Sequence, residues 1–147
     1  MAVSWVVYDL IWQSKLALEK NAVALTLSLL LAIGAAYLLC HCLSGRAAFI
    51  HLGAMFGTIM VTNVWMRILP SQQKMIDATK EGRKPDYNLS AKAKRRSVHN
   101  SYMTFPVLLT MISNHYANVT SGPNNWIHLV LLVIFGGAVR HVALAKT

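Results

Sequence analysis

Residues 21–43 read NAVALTLSLLLAIGAAYLLCHCL, a run with no Lys, Arg, Asp or Glu. At a rise of about 1.5 Å per residue a helix of this length crosses the ~30 Å hydrocarbon core of a bilayer. Gly34, Ala35 and Ala36 near its middle form a small-residue patch that permits close helix approach. Working outward, three more apolar stretches follow, Ala47–Leu69, Tyr102–Asn118 and Trp126–Ala143. The 147 residues are 55% hydrophobic and only 13% charged, and the mean hydropathy is positive, which is unusual for a water-soluble domain of this size. The reading is an all-α polytopic membrane protein with four transmembrane helices over residues 21–147, interrupted by a basic loop at about 70–96.

The first twenty residues lack the basic start of a secretory signal and mix Asp9, Lys15, Glu19 and Lys20 with Trp5, Tyr8 and Trp12. They are expected to form a separate interfacial segment, a short helix lying at headgroup level. Counting basic residues by side is one-sided. Lys15, Lys20, Arg67, Lys74, Lys80, Arg83, Lys84, Lys92, Lys94, Arg95, Arg96, Arg140 and Lys146 share one face, and only Arg46 lies on the other. The positive-inside rule then places both termini and the long loop in the cytoplasm of a bacterial inner membrane, and the loops near Ser44 and Gly122 in the periplasm. The net charge of +9 is explained by topology and by attraction to anionic lipids, not by nucleic-acid binding.

Within these spans the polar residues need a reason. His51, His115 and His128 fall within about one helical turn of the same depth at the periplasmic side. Two neutral imidazoles can ligate a haem iron axially, and haem b needs no covalent anchor, so His51 and His115 are candidate iron ligands with His128 as a further candidate. The same histidines can instead be solvated singly at the interface. Gly53 and Gly57 form a small-xxx-small pattern that either receives another helix or leaves room for a flat ligand beside His51. A second polar group, Asn63 with His99, Asn100, Tyr102, Arg140 and His141, lies toward the cytoplasm. It suits a second haem, a quinone pocket or a proton inlet, or else helix-to-helix bonds and snorkelling ends.

Other chemistries are less well served. No C-x-x-C-H motif attaches a c-type haem, and in Cys40-His41-Cys42 adjacent helical side chains diverge, which disfavours a metal site. The five acidic residues are assigned to the cytoplasmic side, so carboxylate acid–base work inside the membrane is not expected. There is no phosphate-binding glycine loop and no Gly-x-Ser-x-Gly elbow. The helical spacing runs past Pro70 through Met75 and Ile76, Glu81–Asp86 reads as a turn, Ser90 is the expected cap of the next helix, and Pro106 should kink span three.

Four segments, His51-Leu-Gly-Ala-Met-Phe-Gly-Thr-Ile-Met-Val-Thr-Asn-Val-Trp65, Ile68-Leu-Pro-Ser-Gln-Gln-Lys-Met75, Arg96-Ser-Val-His-Asn-Ser-Tyr102 and Ile112-Ser-Asn-His-Tyr116, resemble the membrane domain of bacterial cytochrome-c-type urate oxidases (urate hydroxylases). The resemblance spans Arg46 to Trp126 and corresponds to the later half of that domain, without its earlier spans or its cytochrome domain. It implies a redox setting in which electrons from urate pass to a c-type cytochrome, and it singles out His51, His99 and His115; in the haem reading Asn114 or Tyr116 would orient the ligands. The expected function is a membrane subunit that binds haem b or completes an electron-transfer site with other membrane subunits, a second copy or a periplasmic c-type cytochrome. The alternative is a non-redox accessory subunit that stabilises a larger respiratory or photosynthetic complex.

Overall fold

The computed structural model describes residues 1–14, 17 and 20–144, and among these every regular element is a helix. Lys15 and Lys146, which enter the charge count above, and Glu19 of the N-terminal segment lie outside the described residues. In chain order the elements are α1 (Ala2–Gln13), α2 (Asn21–Cys42), α3 (Gly45–Asn63), a π-helical turn (Val64–Ile68) leading directly into α4 (Leu69–Lys80), α5 (Tyr87–Ser113), the short α6 (Ala117–Thr120) and α7 (Asn125–Leu144).

Three of these stretches are long and apolar enough to cross a membrane: Asn21–Cys42, the continuous Gly45–Lys80 and Asn125–Ala143. The fourth expected span falls in α5, which does not qualify on composition. Its place in the bundle gives the reason. α5 is the central helix, packed against α3 on one side and α7 on the other. Its Arg96, Thr110 and Ser113 are buried against neighbouring helices, so polarity there is shielded by protein. α2 and α7 are peripheral and expose Leu25, Leu30, Leu38, Leu131 and Phe135.

The structure changes the reading of the N-terminal segment. α1 does not stand apart as an interfacial helix. It runs antiparallel along α2, with Trp12 Nε1 donating to Ser28 Oγ at 3.0 Å near one end and Met1 grouped with Leu38 and Leu39 near the other. Tyr8, Asp9 and Trp12 are buried, because one side of the helix carries aromatic and polar groups that find partners in the bundle, while Val3, Val6 and Leu10 remain outside. Met1 therefore shares an end with His51, whereas α7 finishes beside Tyr102 at the opposite end. Among the described residues, Met1 and His141 therefore lie toward opposite ends of the bundle.

Boundaries differ where local chemistry competes. The helix continues past Pro70, as its spacing predicts, by widening into the π-turn just before it. Proline lacks the N–H that would bond one turn back, and a widened turn absorbs that loss. α5 starts three residues before Ser90, at Tyr87, because the Asp86 side chain accepts the Asn88 N–H at 2.9 Å and caps it. Its last residue is Ser113, short of the expected Asn118, and α6 follows after a break at His115–Tyr116. Gly82 takes φ +70° in the turn between α4 and α5, a conformation that side chains disfavour. In the last third of α5, Gly136 of α7 meets Pro106 so closely that a Cβ there would lie 2.6 Å from the proline nitrogen.

Candidate functional site

At the His51 end the three histidines are all exposed. His51 Nδ1 lies 2.8 Å from the carbonyl of Ala47, and His128 Nδ1 lies 3.0 Å from the carbonyl of Val119. A carbonyl only accepts, so each ring donates from Nδ1 and keeps Nε2 as a free lone pair. That is the tautomer in which imidazole binds a metal, with the backbone bond fixing the ring. His41 is held likewise by the Tyr37 carbonyl at 2.8 Å and stacks on that tyrosine, with ring centroids 4.0 Å apart. His115 sits in the break after α5. Neighbouring Tyr116 is exposed, and the Asn114 side-chain oxygen is buried without a partner while its backbone carbonyl accepts Arg46 Nε at 3.2 Å.

His51 lines an open apolar groove of about 270 Å³ together with Met1, Ala35, Leu38, Leu39 and Met55. Neither His115 nor His128 lines it. Among the described residues no three His, Cys, Asp or Glu side chains converge to hold a bare metal ion.

The opposite end of the bundle holds a buried polar network. Its anchor is Asp9 of α1, whose carboxylate accepts Arg96 Nη2 at 2.7 Å and Arg67 Nε at 3.1 Å, a second bond from the Arg67 guanidinium, and one from Gln13. Arg67 reaches it from the π-turn, which re-aims the side chains at the end of α3. Beside the triad, Asn63 donates to the Tyr8 hydroxyl at 3.3 Å and to Asn100 Oδ1 at 3.0 Å, and Asn100 donates to the Met60 carbonyl at 2.9 Å. The Tyr8 hydroxyl, which accepts from Asn63, also hydrogen-bonds His99 Nδ1 at 2.7 Å. Trp12 packs on the His99 ring at 4.0 Å, and the Arg96 guanidinium lies 5.0 Å from the centre of the Tyr8 ring.

Of the residues singled out at this end, His99, Asn63 and Asn100 are brought together. Tyr102 belongs to a separate pair with His141 at 2.8 Å, under Arg140. Tyr8, Asp9, Trp12, Arg67 and Arg96 were not anticipated as members. One signal was available: an aspartate inside Ser4-Trp-Val-Val-Tyr-Asp-Leu-Ile-Trp12 must find a cation if that segment is buried. Placing the acid on a cytoplasmic surface concealed it.

The glycine pattern on α3 divides. A Cβ on Gly53 would lie 2.6 Å from Thr110 Oγ1, so this glycine lets α5 approach and packing accounts for it. Gly57 faces open space. Gly53→Val is expected to destabilise the bundle by about 1–3 kcal/mol through overpacking, while Gly57→Ala leaves it unchanged. Unfolding midpoints of the purified variants check both.

The model of the urate oxidase N-terminal family matches residues 1–147, taking in α1 and α2 as well as the motif-bearing helices. The chain belongs to the urate oxidase N-terminal family. No curated protein and no solved structure matches it. In this family member the buried Asp9 network and the His51 groove are both built by helices inside the matched region.

Proposed function

We propose that this urate oxidase N-terminal family member is an integral-membrane unit of a redox complex that crosses the bilayer four times and binds haem b at its His51 end. The observation that carries the reading is the His51 ring, fixed by Ala47 and presenting Nε2 beside an apolar groove. α5 crosses as the protein-enclosed fourth span. The basic α4–α5 region lies in the cytoplasm of a bacterial inner membrane, and the His51 end, with Met1, faces the periplasm. Anionic lipids line the basic side. Haem supplies a reversible one-electron couple. His51 would hold the ring as ligand against the leucine and alanine walls of the groove, and His115 and His128 stand at the same end, outside the groove, as further candidate imidazoles. A periplasmic c-type cytochrome and other membrane subunits, or a second copy, complete the electron path.

Purifying the chain with its partners in mild detergent and recording pyridine haemochrome and reduced-minus-oxidised spectra tests this. A b-type signal that falls in His51→Ala, with assembly intact, is the expected result. A second reading, a non-redox accessory subunit, is favoured by one observation: the Asp9 network lies within the bundle and bonds helix to helix. A colourless complex whose assembly survives His51→Ala and His115→Ala would replace the first reading with this one.

A further inference from the structure

We infer that Arg140 and His141 of α7, with Ser101 and Tyr102 of α5, form a docking site for the phosphate of one anionic phospholipid. The inference rests on the placing of anionic lipids along the basic side of the membrane, and not on the haem. The cluster is built across two helices. Arg140 donates from Nε to Ser101 Oγ at 2.9 Å, and its guanidinium carbon lies 4.1 Å from the centre of the Tyr102 ring. A guanidinium laid on an aromatic face and tied at Nε has its plane fixed. Ser101 takes only Nε, so Nη1 and Nη2 remain as the paired donors that match two oxygens of a phosphate. The Tyr102 hydroxyl lies 2.8 Å from His141 Nδ1, which pins a second polar ring beside the guanidinium.

Charge complementarity favours an anion here. Neither α5 nor α7 contains an aspartate or a glutamate, so no acid on its own helix or on the helix it packs against offsets Arg140. Arg67 and Arg96 differ, because the Asp9 carboxylate meets both. Arg140 and Tyr102 are half-buried, which shields the cation from part of the solvent and strengthens its pull on an anion. Position selects a lipid over a soluble anion. Arg140 and His141 fall among the last five residues of α7, where a long cation reaches the headgroup level. Apolar side chains lead away from the cluster on both helices: Ile134 shares the helix face of His141, and Leu108 and Ile112 share that of Ser101, all three exposed. A phospholipid brings a phosphate to the polar end and acyl chains to these stripes.

The test is native mass spectrometry of the full chain purified in detergent and titrated with phosphatidylglycerol or with phosphatidylcholine of the same chain length. The expected result is retention of one phosphatidylglycerol in preference to phosphatidylcholine, with an apparent affinity that falls roughly fivefold in Arg140→Gln, the share of one basic residue near a lipid surface. Arg140→Lys keeps the charge but loses the paired donors, and should lose a similar amount. Lys74→Gln, which removes an exposed cation from α4, should change little. Equal losses in Lys74→Gln and Arg140→Gln, or full retention in Arg140→Lys, would overturn the site in favour of a diffuse basic surface. Equal binding of the two lipids would overturn it as well, and inorganic phosphate that displaces phosphatidylglycerol at equal concentration would overturn the lipid as occupant. The preference is expected equally in a colourless chain, so failure of the haem reading leaves it standing. A chain that does not enter phosphatidylglycerol vesicles at all would overturn the site together with the membrane reading.

Discussion

Replacing Asp9 with leucine is expected to cost about 3–5 kcal/mol, enough to leave much of the chain unfolded in detergent. The carboxylate is the shared acceptor of Arg67 and Arg96, and with Arg96 the pair is sealed from solvent, both side chains being 6% exposed. Removing the acid leaves Arg96 with an uncompensated charge in a place where neither water nor a headgroup reaches it. Arg67 is less affected, because its side chain is 38% exposed and can turn outward. The same logic predicts a rescue. Arg96→Met in the Asp9→Leu background removes the stranded charge and should recover a large part of the loss, since a buried ion pair replaced by apolar groups of similar size is often neutral. Unfolding titrations of the two single variants and the double variant measure it. Additive losses in the double variant would mean that the two residues do not act as a pair.

Gly136→Val is expected to be nearly as damaging. Its Cβ would sit 2.6 Å from the nitrogen and 2.7 Å from Cδ of Pro106, and 3.0 Å from the carbonyl carbon of Phe105. These are backbone and ring atoms that cannot rotate away, so α7 must move off α5. Pro106 already removes one α5 backbone bond, which makes the close approach of a glycine there useful for sealing the gap. A loss of about 3 kcal/mol, at the upper end of ordinary overpacking, is expected from unfolding midpoints. Gly137→Val, one residue on and facing open space, serves as the control and should change little.

Much of the architecture was legible in composition and spacing. Hydropathy is a sum over neighbours in the chain, so the helices around Asn21–Cys42 and Asn125–Ala143 stand out without knowledge of their surroundings. The stretch Tyr102–Asn118 was also picked out, but the basic and polar first half of α5 keeps the whole helix from qualifying, and that its Arg96, Thr110 and Ser113 are buried against other helices is not a local property. The alignment of Asn63 with Asn100 was readable in outline, since antiparallel neighbours of known length bring the end of one opposite the start of the next. The division of Gly53 from Gly57 was not, because it depends on which face of α3 meets Thr110.

The fate of the N-terminal segment shows the same boundary. Tyr8, Asp9 and Trp12 among apolar residues fit a headgroup-level helix as well as a packed one, and only partners distinguish the two. Those partners stand 58 residues away at Arg67, 87 at Arg96 and 91 at His99. Likewise, depth along each span could align His51, His115 and His128, but rotation about the helix axes decided that His51 alone lines the groove. By itself the sequence determined that this is an all-helical chain with long apolar helices, because those follow from per-residue solvation and periodicity. The tertiary structure decided that Asp9 closes a buried network, that α1 lies along α2, and that the histidines part company, because contacts between residues far apart in the chain depend on helix rotation and crossing that local pattern does not encode.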